Sequence, residues 1–369
     1  MPYPQLDRFQ IKFKPLSQRK DKVFIEKDAV YPEDEPQTTL NDLSKKILQQ
    51  TVERLVMAKD KNRSRMLVFG AHAIKNGLAP VIMYLIEHKW VTHIATNGAG
   101  IIHDWEFSYQ GHSSEDVRTN VSKGEFGIWE ETGFYLNLSI VVGAYEGKGY
   151  GESVGAFVEN EGLYIPSKQE LIEYIKSNIE KNPDSCAAAS DLLMKINEFS
   201  LKEGFLSVPH PYKRFGLQAF AFQHQVPFTA HPMIGHDIIY THPMNCCSAI
   251  GRASQRDFLT FANSVLNLDD GIYMSIGSAV MSPMVFEKSL SMSQNISIQR
   301  GSPIKNHFIT VVDLQESKWD WSKGEPPMDR PEYYLRFNKS FARMGGTFNY
   351  LTMDNRDFLL HLVHSLMQK

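Results

Sequence analysis

Two side chains in the sequence are suited to covalent and acid–base chemistry. Lys339 follows Arg336-Phe337-Asn338, and a lysine beside an aromatic ring and other cations can have a lowered pKa, which leaves its amine nucleophilic. His242 comes five residues after Asp237, a spacing that places the two at the ends of one helical turn, with the imidazole facing a cleft as an acid or base. The alternatives are a solvated lysine and a hydrogen-bonded structural histidine.

A turn of small residues, Thr96-Asn97-Gly98-Ala99-Gly100, follows a short β-prone stretch. Small residues at the end of a strand let a ligand approach the backbone and leave N–H groups for phosphates. In open parallel sheets, nucleotides bind at this position. The alternative is a tight turn that needs the conformational freedom of glycine. Asp104, further along, either binds a ribose hydroxyl or caps a helix.

Four histidines fall close together, at positions 224, 231, 236 and 242. Imidazole is a good zinc ligand, but neither H-E-x-x-H nor C-x-x-C spacing is present. We therefore predict no metal.

These residues lie in a pattern of alternating helices and strands. An amphipathic helix over 75–88 precedes the strand that leads into the glycine turn. The alternation of helices and strands returns after residue 215. Strands end in small or polar residues at 70, 96, 277 and 313, and we expect their tips to gather along one edge. The pattern predicts an α/β fold with a Rossmann-like parallel sheet and helices on both faces.

The domain organisation predicted from this pattern has three parts. Residues 1–40 are polar and proline-containing, and we read them as an extended arm that lies on a neighbour. Residues 41–369 form a single catalytic domain, with a helical insertion over about 107–210.

Composition narrows the functional classes. The 369 residues are 42% hydrophobic and 22% charged, with a net charge of -3, so nothing indicates a nucleic-acid or membrane surface. No apolar run has the length of a transmembrane helix, and the first residues lack a hydrophobic signal core. Three cysteines cannot form a disulfide framework, which favours a reducing cytoplasm.

The motifs resemble those of the deoxyhypusine synthase family, in the same order along the chain. Five segments carry the resemblance. They are 70–77 (similar to T-S-N-L-I-S-S-G), 96–104 (T-T-A-G-G-V-E-E-D), 235–245 (G-D-M-L-F-F-H-S-x-K-N), 276–280 (L-G-G-G-V) and 330–339 (R-P-D-E-A-V-S-W-G-K).

The resemblance implies a tetramer that binds NAD, oxidises spermidine to an imine and passes the aminobutyl group through a lysine to a protein lysine. By position, Lys339 would be the nucleophile and His242 the base. The residues expected against NAD are Gly70, His72, Thr96, Asn97, Gly98, Gly100, Asp104, Asp237, Gly277 and Asp313. Those expected to bind the amine substrate are Phe337, Tyr333, Glu332 and Asn245.

The sequence departs from the family where acidic side chains bind the polyamine. Tyr333 replaces a glutamate, Pro326-Pro327 replaces an aspartate–serine pair, and His103 replaces a further glutamate. A pocket with fewer carboxylates binds a polycation poorly. Transfer to a small amine, simple NAD-dependent oxidation or lysis of an amine or amino acid, and a non-catalytic NAD-binding regulator are therefore the alternatives.

Overall fold

The computed structural model describes residues 3–369. The strands are β1 (Asp21–Phe24), β2 (Arg65–Phe69), β3 (His93–Thr96), β4 (His112–Glu115), β5 (Gly162–Ile165), β6 (Gly204–Ser207), β7 (Phe228–Ala230), β8 (Ile272–Ile276), β9 (Phe308–Asp313) and β10 (Thr347–Thr352). The helices are α1 (Ile25–Asp28), α2 (Asp42–Asp60), α3 (Ala71–Lys75), α4 (Ala79–Glu87), α5 (Gly98–Gln110), α6 (Val117–Lys123), α7 (Glu130–Tyr145), α8 (Tyr150–Glu159), α9 (Lys168–Asn178), α10 (Pro183–Phe199), α11 (Leu217–Gln223), α12 (Cys247–Leu266), α13 (Met281–Gln299), α14 (Arg336–Ala342) and α15 (Asn355–Leu366).

A six-stranded parallel sheet forms the centre of the fold, in the order β10-β9-β8-β2-β3-β7. From β2 the chain adds β3 and β7 on one side, then returns to the other side of β2 with β8, β9 and β10. Numbered by appearance, the strands read 3-2-1-4-5-6 from β7, which is the order of the Rossmann fold. The predicted Rossmann-like α/β fold is confirmed.

The two faces of the sheet are buried under different helices. Side chains alternate between faces along a strand, so Leu67 and Phe69 of β2 join one hydrophobic cluster with α2, α4 and α15. Met66 and Val68 point the other way, into a second cluster with α12, α13 and α14. Burial on both faces explains why β2 reads as a continuous apolar run in the sequence.

Several helices begin at side-chain caps. Ser167 caps α9 in a capping box, and Asn182 caps α10. Ser254, also a residue type that can cap a helix, lies inside α12, which begins at Cys247. The helix starts earlier because Ala249, Ile250 and Ala253 are buried at helical spacing.

The N-terminal arm packs on its own chain. β1, within the arm, pairs with β4, and Arg8 donates hydrogen bonds to the carbonyl oxygens of Tyr240 and His242. A contact of the arm with a neighbouring chain stays a prediction.

A buried ion-pair network anchors the arm. The guanidinium of Arg19 binds both Glu106 carboxylate oxygens, at 2.7 and 2.6 Å, and Asp21 at 2.7 Å. Burial by itself raises the pKa of Glu106, but the Arg19 charge and hydrogen bonds bring the net pKa below its usual value. The arm is thereby attached to the middle of α5.

The region 107–210 is mainly helical, from the end of α5 through α6–α10, with strands β4, β5 and β6 between the helices. β5 and β6 pair with each other in a separate two-stranded sheet. Within residues 3–369, no helix combines the length and the apolar character needed to cross a bilayer.

Candidate functional site

Four neighbouring strands end in the residues that the sequence singled out. Asp313, Gly277, Gly70 and Thr96 lie at or just beyond the carboxyl ends of β9, β8, β2 and β3, which are adjacent in that order. The expected alignment of these tips at one edge is confirmed. The chain changes direction across the sheet between β2 and β8, and such a switch point is where open α/β sheets bind ligands.

The loops on either side of the switch point touch through their glycines. The Gly70 N–H donates to the Ile276 carbonyl oxygen at 3.1 Å, and a Cβ on Gly70 would lie 2.1 Å from the Gly277 carbonyl oxygen. Gly277 has a φ of +55°, a left-handed conformation that favours glycine. Glycine is therefore required at both positions for the loops to meet.

The glycine turn after β3 is filled by the protein itself. A Cβ on Gly98 would lie 2.1 Å from Asp237 Oδ2, and one on Gly100 would lie 2.2 Å from Thr96 Oγ1. Both glycines are buried, and neither has a positive φ. These glycines make room for side chains of the same chain, and a ligand contact at Gly98 and Gly100 stays a prediction. The Thr96 hydroxyl donates to the Phe69 carbonyl oxygen.

Asp237, in the loop after β7, packs against this turn. Burial raises the pKa of its carboxyl group to about 6, and within residues 3–369 its Oδ2 has no hydrogen-bond partner. The residue lines a cavity of about 210 Å³ that also receives Lys75, His103 and Glu115. Sequence reasoning missed this cavity because Glu115 belongs to none of the five motif segments and Lys75, within 70–77, was not singled out there.

Asp104 holds two helices together. Its buried carboxylate accepts hydrogen bonds from the backbone N–H groups of Leu217 and Gln218 and from the Gln218 amide. Despite these bonds, burial raises its pKa to about 6. The carboxylate anchors the start of α11 to α5, a structural role, and the ribose contact stays a prediction.

His242 follows a 3-10 turn, Ile238–Thr241, which confirms the predicted turn between Asp237 and His242. The imidazole is buried among Phe13, Phe134 and Phe199 and does not face an open cleft. Its Nδ1 accepts a hydrogen bond from the Met244 N–H. Burial, with smaller contributions from two nearby cations, lowers its pKa to about 4.

Asn245 belongs to the same buried cluster. Its Oδ1 accepts from Arg8, and its Nδ2 donates to Asn137. Both polar ends of Asn245 are thus bonded within the protein, and its contact with an amine substrate stays a prediction.

Lys339 lies on α14, which leads into the edge strand β10, whereas His242 lies in the segment after β7, the strand at the other edge of the sheet. Its Nζ is 3.7 Å from the centre of the Tyr333 ring, and among residues 3–369 it has no ion pair. Phe337 packs against Tyr350 with ring centres 6.1 Å apart, and Glu332 accepts from the Lys318 N–H. Within one chain the structure brings Lys339 together with Tyr333 but not with His242.

The remaining predicted cofactor residues sit at the carboxyl edge with simpler roles. Asn97 caps α5 by accepting from the Gly100 N–H, Asp313 accepts from the Gln315 N–H, and His72 is exposed on α3. Across residues 3–369, no three His, Cys, Asp or Glu side chains are grouped as metal ligands would be.

No protein-family model matches the chain, and no curated protein matches it. Solved structures with a similar arrangement include a protein assigned as LOR/SDH from Methanococcus maripaludis S2 (12% identity, TM-score 0.41, covering 97% of this chain and 76% of that one). They also include the complex of AgrE with ornithine and NAD+ (12%, 0.42, 90% and 34%) and a deoxyhypusine synthase candidate from Entamoeba histolytica (11%, 0.36, 87% and 89%). The chain spans about a third of the length of AgrE. Scores this low do not establish a family.

Proposed function

We propose that the chain is an NAD-dependent enzyme that oxidises a small amine to an imine. The observation that carries this proposal is the 3-2-1-4-5-6 strand order, which creates a switch point with glycines on both sides, at Gly70 and Gly277. The resemblance at the five sequence motifs supports NAD as the dinucleotide.

The residues at the switch point fit such a cofactor. The segment Gly277-Ser278-Ala279-Val280 has small side chains and leads into α13, a 19-residue helix whose N-terminus favours negative charge. The touching loops after β2 and β8 would support the pyrophosphate, and Asp313 would face a sugar. When bound, NAD supplies an acceptor for the hydride on the carbon next to the amine nitrogen.

The cavity beside the glycine turn is our proposed amine pocket. Asp237 lines the cavity with a carboxyl group that would attract an ammonium group, while Lys75 on the same cavity suits a substrate carboxylate. The cavity also receives Arg19 and Glu106, which are paired with each other, and Glu115, which accepts hydrogen bonds from Asn120 and Trp129. The cation and the carboxyl group that remain, Lys75 and Asp237, suit an amino acid better than a polycation. This agrees with the acidic positions that the sequence has replaced.

The finer proposal is aminoalkyl transfer through Lys339, from a polyamine to a second amine or a protein lysine. The ring of Tyr333 supports it, because an aromatic face next to the ammonium partly shields Lys339 from water. In a single chain Lys339 lies apart from the cavity, so transfer needs the proposed tetramer to supply the lysine. Sedimentation measurements test that assembly.

Calorimetric titration with NAD tests the cofactor proposal. Val280→Trp adds bulk at an exposed position beside the switch point, and we expect it to weaken NAD binding about tenfold or more. Val121→Trp, at an equally exposed position on α6, is the matched control and should bind NAD normally. If neither NAD nor NADP binds to the unmodified chain, the proposed function is wrong.

Amine turnover is then followed by the absorbance of NADH. A diamine and the amino acid that differs from it only by a carboxylate, such as putrescine and ornithine, separate the two substrate classes. Faster oxidation of the diamine would contradict the role of Lys75. Borohydride trapping with labelled amine, in the native chain and in Lys339→Arg, decides whether a covalent adduct forms on Lys339.

A further inference from the structure

A continuous line of hydrogen-bonded side chains crosses the fold and ends just after β7, at the carboxyl edge of the sheet and two strands from β2. Ser264 Oγ on α12 lies 2.8 Å from His93 Nδ1, and His93 Nε2 lies 2.9 Å from Thr229 Oγ1. The same hydroxyl lies 3.0 Å from His231 Nε2. Four side chains from three separate parts of the sequence therefore make three consecutive hydrogen bonds.

The line starts and ends in different places. His93 is the first residue of β3, whereas His231 immediately follows β7 at the carboxyl edge, where its backbone N–H donates to the Thr96 carbonyl oxygen. Thr229 and His231 are two residues apart and so face the same side of the sheet. The line thus runs under α12 from the half-buried Ser264 to the edge that carries the glycine turn.

Every member can both donate and accept a hydrogen bond. A neutral imidazole donates from one nitrogen and accepts at the other, and a hydroxyl does both. The line can therefore be ordered from Ser264 to His231 or in the opposite direction, with all three bonds kept. A change of direction switches the tautomer of both imidazoles.

Three of the four members of the line are shielded from water. His93 is 0% exposed, Thr229 2% and His231 8%, and the ring of Phe261 meets both imidazoles edge-on. A structural role needs only one fixed direction of these bonds. The hydrogen bonds of residues 3–369 leave the Nδ1 of His231 without a protein partner, so the line has an open end at the carboxyl edge.

We propose that Ser264, His93, Thr229 and His231 form a proton relay that removes the proton released when the amine is oxidised. This rests on the proposed function. A substrate ammonium group, CH–NH3+, becomes C=NH2+ by losing a hydride with its electron pair to the cofactor and one proton. His231 Nδ1 takes that proton while Nε2 passes its own to Thr229, Thr229 passes one to His93 Nε2, and His93 Nδ1 passes one to Ser264. The half-buried Ser264 hydroxyl releases its own proton to solvent at the same time, so every member of the line stays neutral.

Burial suits the two histidines to this role. It lowers the pKa of both His93 and His231 to about 3, and for His93 the nearby His231 adds to the effect. Both rings therefore stay neutral at ordinary pH. Neutral rings move a proton by changing tautomer together, without holding a buried positive charge.

Nitrogen NMR of histidine-labelled protein tests the relay without any turnover. We expect both tautomers at His93 and His231, exchanging at a common rate. Thr229→Val keeps the branched shape but lacks the hydroxyl, and we expect tautomer exchange to slow about tenfold or more at both rings. Thr229→Ser restores the hydroxyl and should behave like the native chain.

Two further variants complete the experiment. Thr310→Val is the matched control, because Thr310 pairs with Thr51 at 3.0 Å in the same sheet but outside the line. Ser264→Ala, at a half-buried position, should lock His93 in one tautomer even if Thr229→Val fails to fold. A single, unchanging tautomer at each ring in the native chain would overturn the relay, whatever the outcome for NAD.

Discussion

The segment 231–242 has a buried histidine at each end, and the hydrogen-bond partners of the two imidazoles differ. At one end, burial lowers the pKa of His231 to about 3, but hydrogen bonds continue through Thr229 and His93 to the half-buried Ser264. At the other end, burial lowers the pKa of His242 to about 4, and aromatic rings and the N-terminal arm enclose the ring.

The difference shows that a neutral imidazole is insufficient for acid–base work. A general base must also reach the substrate and return its proton to solvent. His231 has a hydrogen-bonded route for the proton through Thr229, whereas Phe13 of the arm covers His242, whose Nε2 has the half-exposed Glu130 carboxylate at 3.5 Å. The motif pointed to His242, and the hydrogen bonds favour His231.

The largest expected effect comes from detaching the arm that covers His242. Arg19→Ala leaves the buried carboxylate of Glu106 without its cation and leaves Asp21 with only His112 and Gln110, and we expect a loss of about 3–5 kcal/mol in the free energy of unfolding. Denaturant unfolding measures this. Lys22→Ala, which breaks an exposed pair with Asp116 on the same arm, is the control and should change little. Equal losses in both variants would contradict the role of burial.

Asp237 lies in the middle of the segment 231–242 and packs against Gly98. Gly98→Ala forces a Cβ against Asp237 Oδ2. Overpacking of this kind should cost roughly 1–3 kcal/mol in unfolding free energy. Gly251→Ala is the matched control on α12, where a Cβ meets nothing within 4 Å, so it should stabilise the protein by up to about 1 kcal/mol. The two glycines should therefore give opposite signs, and Asp237→Ala should reduce the cost of Gly98→Ala.

At the His231 end, His93→Gln should reduce the acid sensitivity of the fold. The pKa of His93 is lowered from 6.5 to about 3 on folding, so the unfolded chain binds the extra proton between those values. The stability contribution is complete above pH 6.5 and decreases as pH falls towards 3. Without this histidine, the slope of unfolding free energy against pH in that window should decrease by about 1.4 kcal/mol per pH unit. Unfolding at several pH values measures the slope, and an unchanged slope would contradict the assignment.

The smallest effect is expected at the His242 end, from Arg8→Ala. Its hydrogen bonds to the carbonyl oxygens of Tyr240 and His242 should be worth about 1 kcal/mol in unfolding free energy. Loss of the guanidinium charge and partial exposure should both raise the pKa of His242 from about 4 towards its usual value. NMR titration of the imidazole follows this change. A pKa that stays at about 4 would show that the aromatic rings alone seal the site.

Local sequence determined the elements of the fold. Apolar spacing and capping residues located the helices and strands, because these patterns act over one or two helical turns. The small and polar residues after β2, β3, β8 and β9 likewise predicted the edge at which the strand tips gather, since parallel strands place their carboxyl ends together.

Only the tertiary structure decided what surrounds each candidate residue. Asp104 meets Leu217 across 113 positions, and Asp237 fills the space at Gly98. His93 reaches His231 only because β7 pairs with β3 in one register. Such partners depend on how distant elements pack, which no short-range pattern encodes. The sequence alone therefore determined where the chain forms strands and helices, and packing decided which of its histidines has a path for a proton.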